Sequence, residues 1–171
     1  MTDEELRYPT GRFKPPVSYT QHNINTWIND IKTFPGKLRK EVIGLTEKQL
    51  DTQYRTGGWT IRQVVHHLAD SHMNSLIRFK WALTEENPTI KAYEEADWAL
   101  LPDYRLPIEP SLKKFLRVSI STWAPFLTVL PKNNGIAPLC TPKPAPLYRL
   151  SATWPYIHGT ANTTWRILRR R

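Results

Sequence analysis

Ile24, Trp27, Ile28, Ile31, Phe34, Leu38, Val42 and Leu45 recur at three- and four-residue steps. Such spacing places one apolar stripe along a helix and commits the segment to packing against other helices. It predicts one amphipathic helix, kinked or interrupted near Pro35-Gly36, because a proline removes a helical N–H donor. A second set follows at Ile61, Val64, Val65, Leu68, Leu76 and Phe79. Its start is marked three ways: Thr60 as N-cap, Gln63 as capping-box partner, and Trp59 placed to staple onto Val64. This helix is expected to end near Thr84. A third runs from about Ser111 to Leu130, with Leu112, Phe115, Leu116, Trp123, Phe126 and Leu127 as its apolar set and a kink near Pro125.

The connections differ in kind. Residues Met1 to Tyr19 are Pro-rich and polar and read as an irregular leader. Thr46 to Trp59 is a connection broken at Gly57-Gly58. Glu85 to Pro110 is longer than a loop usually is, which predicts that it packs down on the domain and shapes a site. Three long helices joined by one long crossover give an all-α fold, a four-helix bundle whose fourth helix is missing from the pattern.

The pattern stops at Pro131. From there to Arg171 there is no Asp or Glu, although the chain of 171 residues carries 15, and six of its 15 prolines fall there. Seven of the 24 Lys and Arg lie in the same stretch, leaving 17 basic against 15 acidic residues in the rest. The pI of 9.8 therefore belongs to the tail. The chain divides into a helical domain over 1–130 and a basic, Pro-rich segment over 131–171, read as an altered C-terminal part of the same domain. No apolar run is long enough to span a bilayer. The start Met1-Thr-Asp-Glu-Glu-Leu lacks the basic and apolar regions of a signal peptide. A lone Cys140 excludes an intrachain disulfide and fits a reducing cytoplasm. Neither a membrane nor a specific nucleic-acid partner is implied by the domain.

Three of the five histidines lie in His66-His67-Leu68-Ala69-Asp70-Ser71-His72. On the second helix His72 falls within the apolar stripe and His66 points away from it. His67 lies on the border, followed on one ridge by Ser71, Asn74 and Arg78. Either His67 is a metal ligand supported by its ridge, or His67 and His72 are hydrogen-bonded core residues beside a solvated edge. Spacing alone favours the second reading, since no HExxH or second ligand accompanies it. His22 and His158 read as surface residues, and Glu85-Glu86 and Glu94-Glu95 as solvated charge pairs. Nothing near Cys140 marks it as a nucleophile. P-loop, GxGxxG and GxSxG motifs are absent.

The run Leu50-Asp51-Thr52-Gln53-Tyr54-Arg55-Thr56-Gly57-Gly58-Trp59-Thr60-Ile61-Arg62-Gln63-Val64-Val65-His66-His67-Leu68-Ala69-Asp70-Ser71-His72-Met73-Asn74 shifts that balance. It resembles the DinB-like superfamily, in particular its YfiT-type metal-dependent hydrolases and bacillithiol transferases. The likeness extends from Tyr8-Pro9 in the leader to Trp123. It implies a four-helix bundle, commonly a homodimer, holding one zinc or nickel ion on three histidines. Such an ion, left with an open position, would activate water for hydrolysis or a thiolate for transfer to a small-molecule electrophile. The resemblance places the first ligand on His67. It places the other two on Thr160 and Thr164, and a hydroxyl replaces imidazole poorly at such a site.

Reading each codon of the tail one base earlier resolves the mismatch. Each new codon is then the third base of one residue and the first two of the next. Leu130 through Ile136 permits Thr-Glu-Glu-Gln-Trp-His, and Leu139 through Lys143 permits Leu-His-Pro-Glu. Thr153 through Ile167 permits Leu-Ala-Leu-Tyr-Ser-Trp-His-Gly-Lys-His-His-Leu-Ala-His, with histidines at 160 and 164. These strings resemble the family's own C-terminal half. They account together for the vanished acids, the prolines and the cysteine. The expectation is a metal-dependent hydrolase or thiol transferase impaired by a base lost near the codon of Leu130. The alternatives are a protein that binds through its basic tail and a product without function.

Overall fold

The computed structural model describes residues 20–86 and 88–129. The leader up to residue 19 and the segment from 130 onward lie outside the described residues, as do Cys140, His158, Thr160 and Thr164. The described part is helical, and its sole β feature is an isolated antiparallel bridge between Gln53 and Thr60.

Helix α1 (Gln21–Val42) starts at a Thr20/Asn23 capping box and runs unbroken through Pro35. The expected interruption at Pro35-Gly36 does not occur. Pro35 is itself buried on the helix face that also buries Ile24, Trp27, Ile31, Phe34, Leu38 and Val42. Packing along that stripe offsets the lost donor. After Val42 the chain reverses through Gly44 at φ 87°, a left-handed conformation that favours glycine.

The connection expected over Thr46–Trp59 contains a short helix, α2 (Glu47–Leu50), opened by a reciprocal Thr46/Gln49 capping box. Its Thr-x-x-Gln signature matches the one that opens α3. Helix α3 (Ile61–Thr84) begins as expected at Thr60, whose side chain accepts from the Gln63 N–H. The crossover then carries α4 (Glu95–Trp98) and a 3-10 turn (Pro102–Arg105). The third rod is composite: α5 (Glu109–Leu116), π-helical turns over Arg117–Trp123, and α6 (Ala124–Val129). Its widened turns end where the Ala124 N–H donates to the Ser119 carbonyl, one residue ahead of Pro125. The irregularity expected at this proline thus appears as a local change of pitch.

Two apolar clusters hold the rods together. One joins Phe34, Leu38 and Val42 of α1 to Val65, Leu68 and Ala69 of α3 and to Leu112 and Phe115 of α5. The other joins Trp27 and Ile31 to Leu76 and Phe79, and to Trp123 and Leu127. Burying each large apolar side chain contributes about 1.5–3 kcal/mol. His72 sits between the clusters, 1% exposed, its ring edge-on to Phe115 at 4.6 Å.

Candidate functional site

The N-terminal half of α3 is buried on its outer side as well as its inner one, because the crossover folds back over it. Gln63 Nε2 donates to the Ala99 carbonyl at 2.7 Å. Arg62 Nη1 donates to the Leu106 carbonyl at 3.2 Å, while its Nε donates to Asp51 Oδ1 at 2.7 Å. The Asp51 hydrogen bond raises the Arg62 pKa against the opposing effect of burial, with Glu47 adding to it. Further along, Tyr104 Oη donates to Asp70 Oδ2 at 3.0 Å, and Lys114 Nζ donates to Asp70 Oδ1 at 2.9 Å. Burial, and then the Asp70 carboxylate, push the Tyr104 hydroxyl well above its ordinary pKa.

His66 belongs to this clamp. Its Nε2 lies 3.1 Å from the Leu106 carbonyl, and Ser111 Oγ lies 2.7 Å from its Nδ1. A carbonyl only accepts, so Nε2 carries a proton and donates to it. The sequence pattern pointed His66 away from the apolar stripe. It does point away, but into the underside of the crossover, where it is 6% exposed. The correction has a simple cause: helical periodicity records the bundle side of α3 and is blind to a connection covering the other side.

His72 donates from Nδ1 to the Leu68 carbonyl one turn back, at 2.9 Å. Complete burial lowers its pKa to about 4. It is a neutral core residue, as the blander of the two sequence readings had it.

His67 is different. Its side chain is 5% exposed, held by Trp59 at 4.7 Å between ring centroids, yet its buried Nδ1 has no hydrogen-bond partner among the described residues. Its Nε2 faces Glu95 Oε2 at 3.9 Å. Burial lowers its pKa, with Glu95 and then Asp70 opposing the shift. Reading Glu94-Glu95 as a solvated pair therefore fails for Glu95, whose side chain is 34% exposed and faces His67. No local signal in the sequence singled it out; only the fold-back of the crossover does so. Ser71 is buried, so the ridge after His67 is not the solvated edge of the alternative reading. Asn74 Nδ2 is turned to the Asp70 carbonyl at 2.9 Å. Arg78 straps the crossover through the Lys91 carbonyl at 3.1 Å. His22 is exposed at the start of α1, as expected.

These helices pack as an all-α bundle that buries a histidine beneath a crossover. The chain belongs to the DinB superfamily, which it matches over residues 30–156. It is 58% identical over 108 residues to a Bacillus cereus B4264 protein bearing the name "Putative metal-dependent hydrolase". A Bacillus anthracis A0248 protein of the same name shows the same identity. The matched part is 63% of this chain and 62% of the relative, so the chain spans less than two thirds of those relatives' length. Among solved structures, the fold matches YfiT from Bacillus subtilis with a TM-score of 0.80 and 36% identity, over 97% of both chains. YfiT is described as a probable metal-dependent hydrolase with an unusual four-helix bundle topology, and the present chain shares that all-α bundle fold.

The relatives' names imply a divalent metal. Among the described residues, no group of three His, Cys, Asp or Glu could hold one. His67 brings one imidazole and Glu95 one carboxylate. The remaining positions implied by the sequence resemblance are Thr160 and Thr164, outside the described residues. The three-histidine site of the resemblance therefore does not fit this sequence. No helix among the described residues is long and apolar enough to cross a membrane.

Proposed function

We propose that the gene encodes a divalent-metal-dependent hydrolase whose metal site is split by a one-base change of frame near the codon of Leu130. The observation that carries this reading is the agreement between two independent halves. His67 on α3 is buried, its pKa lowered by that burial, and its Nδ1 lacks a partner among the described residues. The shifted tail, read without reference to α3, supplies histidines at 160 and 164 within Trp-His-Gly-Lys-His-His. With Thr160 and Thr164 there instead, metal binding is weak and activity low. Zinc or nickel is the ion, and a small electrophile the substrate. Water is the acceptor that the relatives' names support. A thiol acceptor, also implied by the sequence resemblance, uses the same substrate class.

The test compares two recombinant chains, one with the sequence given and one with the base restored. Metal per chain is measured by mass spectrometry, and hydrolysis of activated esters is followed with and without added thiol. The restored chain is expected to retain one metal per chain through gel filtration and the given chain far less. Equal metal content in both would overturn the reading. So would a genomic sequence around the codon of Leu130 that encodes the basic tail as it stands, together with full activity of the chain that carries it.

A further inference from the structure

A cavity of about 330 Å³ lies where the first turn of α3 meets the crossover, lined by Asp51, Thr60, Arg62, Gln63, Leu100 and Arg105 among others. Its volume is in the range of small-molecule sites. The walls are fixed by their own bonds. Gln63 is used at both ends of its amide, Nε2 donating to the Ala99 carbonyl and Oε1 accepting the Thr60 N–H at 2.9 Å. Arg62 is 5% exposed and donates to Asp51, Glu47 and the Leu106 carbonyl. A wall already held in place loses little freedom when a ligand enters.

The charges left over are of both signs. Two carboxylates, Asp51 and Glu47, answer the single guanidinium of Arg62, which leaves one negative charge in excess. Asp51 bonds Arg62 through Oδ1 at 2.7 Å, and its side chain is still 59% exposed. Arg105 pairs with no carboxylate among the described residues. Thr60 Oγ1 accepts from the Gln63 N–H at 3.1 Å and keeps its own proton to donate. Leu100, 69% exposed, adds an apolar edge.

We propose that this cavity binds a free α-amino acid with an apolar side chain. Its carboxylate lies on Arg105 and Thr60, its ammonium on Asp51, and its side chain on Leu100. An anion alone would meet the Asp51 carboxylate, and a cation alone would meet Arg105. A zwitterion matches both. Neither His67 nor Glu95 lines the cavity, so the site is separate from the proposed metal chemistry.

The experiment is equilibrium dialysis of radiolabelled leucine against the full 171-residue chain near neutral pH, with and without a chelator. 4-Methylpentanoate and 3-methylbutylamine, which keep the side chain and lose one charge each, serve as competitors. We expect saturable leucine binding that Arg105→Gln and Asp51→Asn each weaken at least about tenfold, the scale of a lost hydrogen bond between charged groups. Both side chains are exposed, Asn keeps an oxygen for Arg62, and circular dichroism checks that each variant retains its helices. Each singly charged analogue should compete at least about tenfold less well than leucine. Absence of saturable binding overturns the proposal, as does binding that neither variant weakens. A 4-methylpentanoate that competes as well as leucine overturns it in favour of a plain anion site. Leucine binding abolished by the chelator overturns it in favour of a ligand held on metal. Binding unchanged by the chelator supports the cavity whether or not the proposed hydrolase stands.

Discussion

From Ile61 to His72, every side chain of α3 except Gln63 is buried; from Met73 to Thr84, only Ser75, Leu76 and Phe79 are. The second half is an ordinary amphipathic helix, with Ile77, Trp81 and Leu83 exposed. The first half is covered twice, by the bundle within and the crossover without, and it holds Arg62, His66, His67, Asp70, Ser71 and His72 among its buried residues. Polar groups removed from water must find partners. Here Leu106, Ser111, Tyr104 and Lys114 supply most of them. Among the described residues His67 Nδ1 is the one such atom of this half of α3 left without a partner, and it marks the candidate site. In the described part of this bundle, buried polar side chains are densest where a helix is covered from both sides.

The largest effect that tests this comparison lies where both halves share a core. Phe115 is fully buried, packing edge-on against Phe34 at 5.7 Å and against His72 at 4.6 Å. Phe115→Ala should cost about 3–5 kcal/mol, read as a shift of the urea midpoint with little change in slope. A cost below about 1 kcal/mol would mean that the inner face of α3 does not anchor the covered half.

Next comes pH. The His72 pKa is lowered to about 4 in the fold from an ordinary 6.5. Below pH 6.5 the unfolded chain takes up a proton that the folded chain refuses. Stability should therefore fall as pH drops from about 6.5 toward 4 and level off below, by roughly 3 kcal/mol in all. His67, whose pKa is also lowered by burial, adds loss in the same direction. Denaturation curves at stepped pH should show a shallower fall in His72→Gln than in the unaltered chain. Identical slopes would show that His72 is not held neutral by burial.

The inner face of α3 was legible in the sequence and the outer face was not. Ile61, Val64, Val65, Leu68, Leu76 and Phe79 follow the helical period and are all buried, and Thr60 with Gln63 announced the start of the helix. The length of Glu85–Pro110 announced that the crossover packs down. Which residues it would touch depends on contacts such as Tyr104 to Asp70, 34 positions apart, and Leu106 to His66, 40 apart. No local period encodes such distances. Glu95 looked like solvated charge for the same reason, while the Thr46/Gln49 box of α2 was readable and simply shorter than the pattern sought. His67 stood out through resemblance, since its spacing alone fits a core residue equally well.

The clamp between crossover and helix should matter less than the core. Tyr104→Phe keeps the buried ring and removes the hydroxyl that donates to Asp70 Oδ2 at 3.0 Å. The expected loss is about 1.5 kcal/mol, at the lower end for a hydrogen bond to a carboxylate, because Lys114 still serves Asp70. Hydrogen exchange sharpens the result: amides of the 3-10 turn Pro102–Arg105 should lose protection before those of α1. If both segments lose protection together, crossover and bundle are a single cooperative unit and the two coverings of α3 are not separable.

The smallest effect belongs to the open half. Ile77 is 44% exposed and lies in the singly covered second half of α3. Ile77→Ala removes little buried surface and replaces a β-branched residue with the best helix former, so the two contributions oppose each other. Stability should change by no more than about 0.5 kcal/mol in either direction. A loss of 2 kcal/mol or more, on the scale of a buried aliphatic truncation, would show that another surface covers this face in solution. The contrast between the halves would then be one of which partner covers each, and the singly covered half would need its own search for buried polar groups.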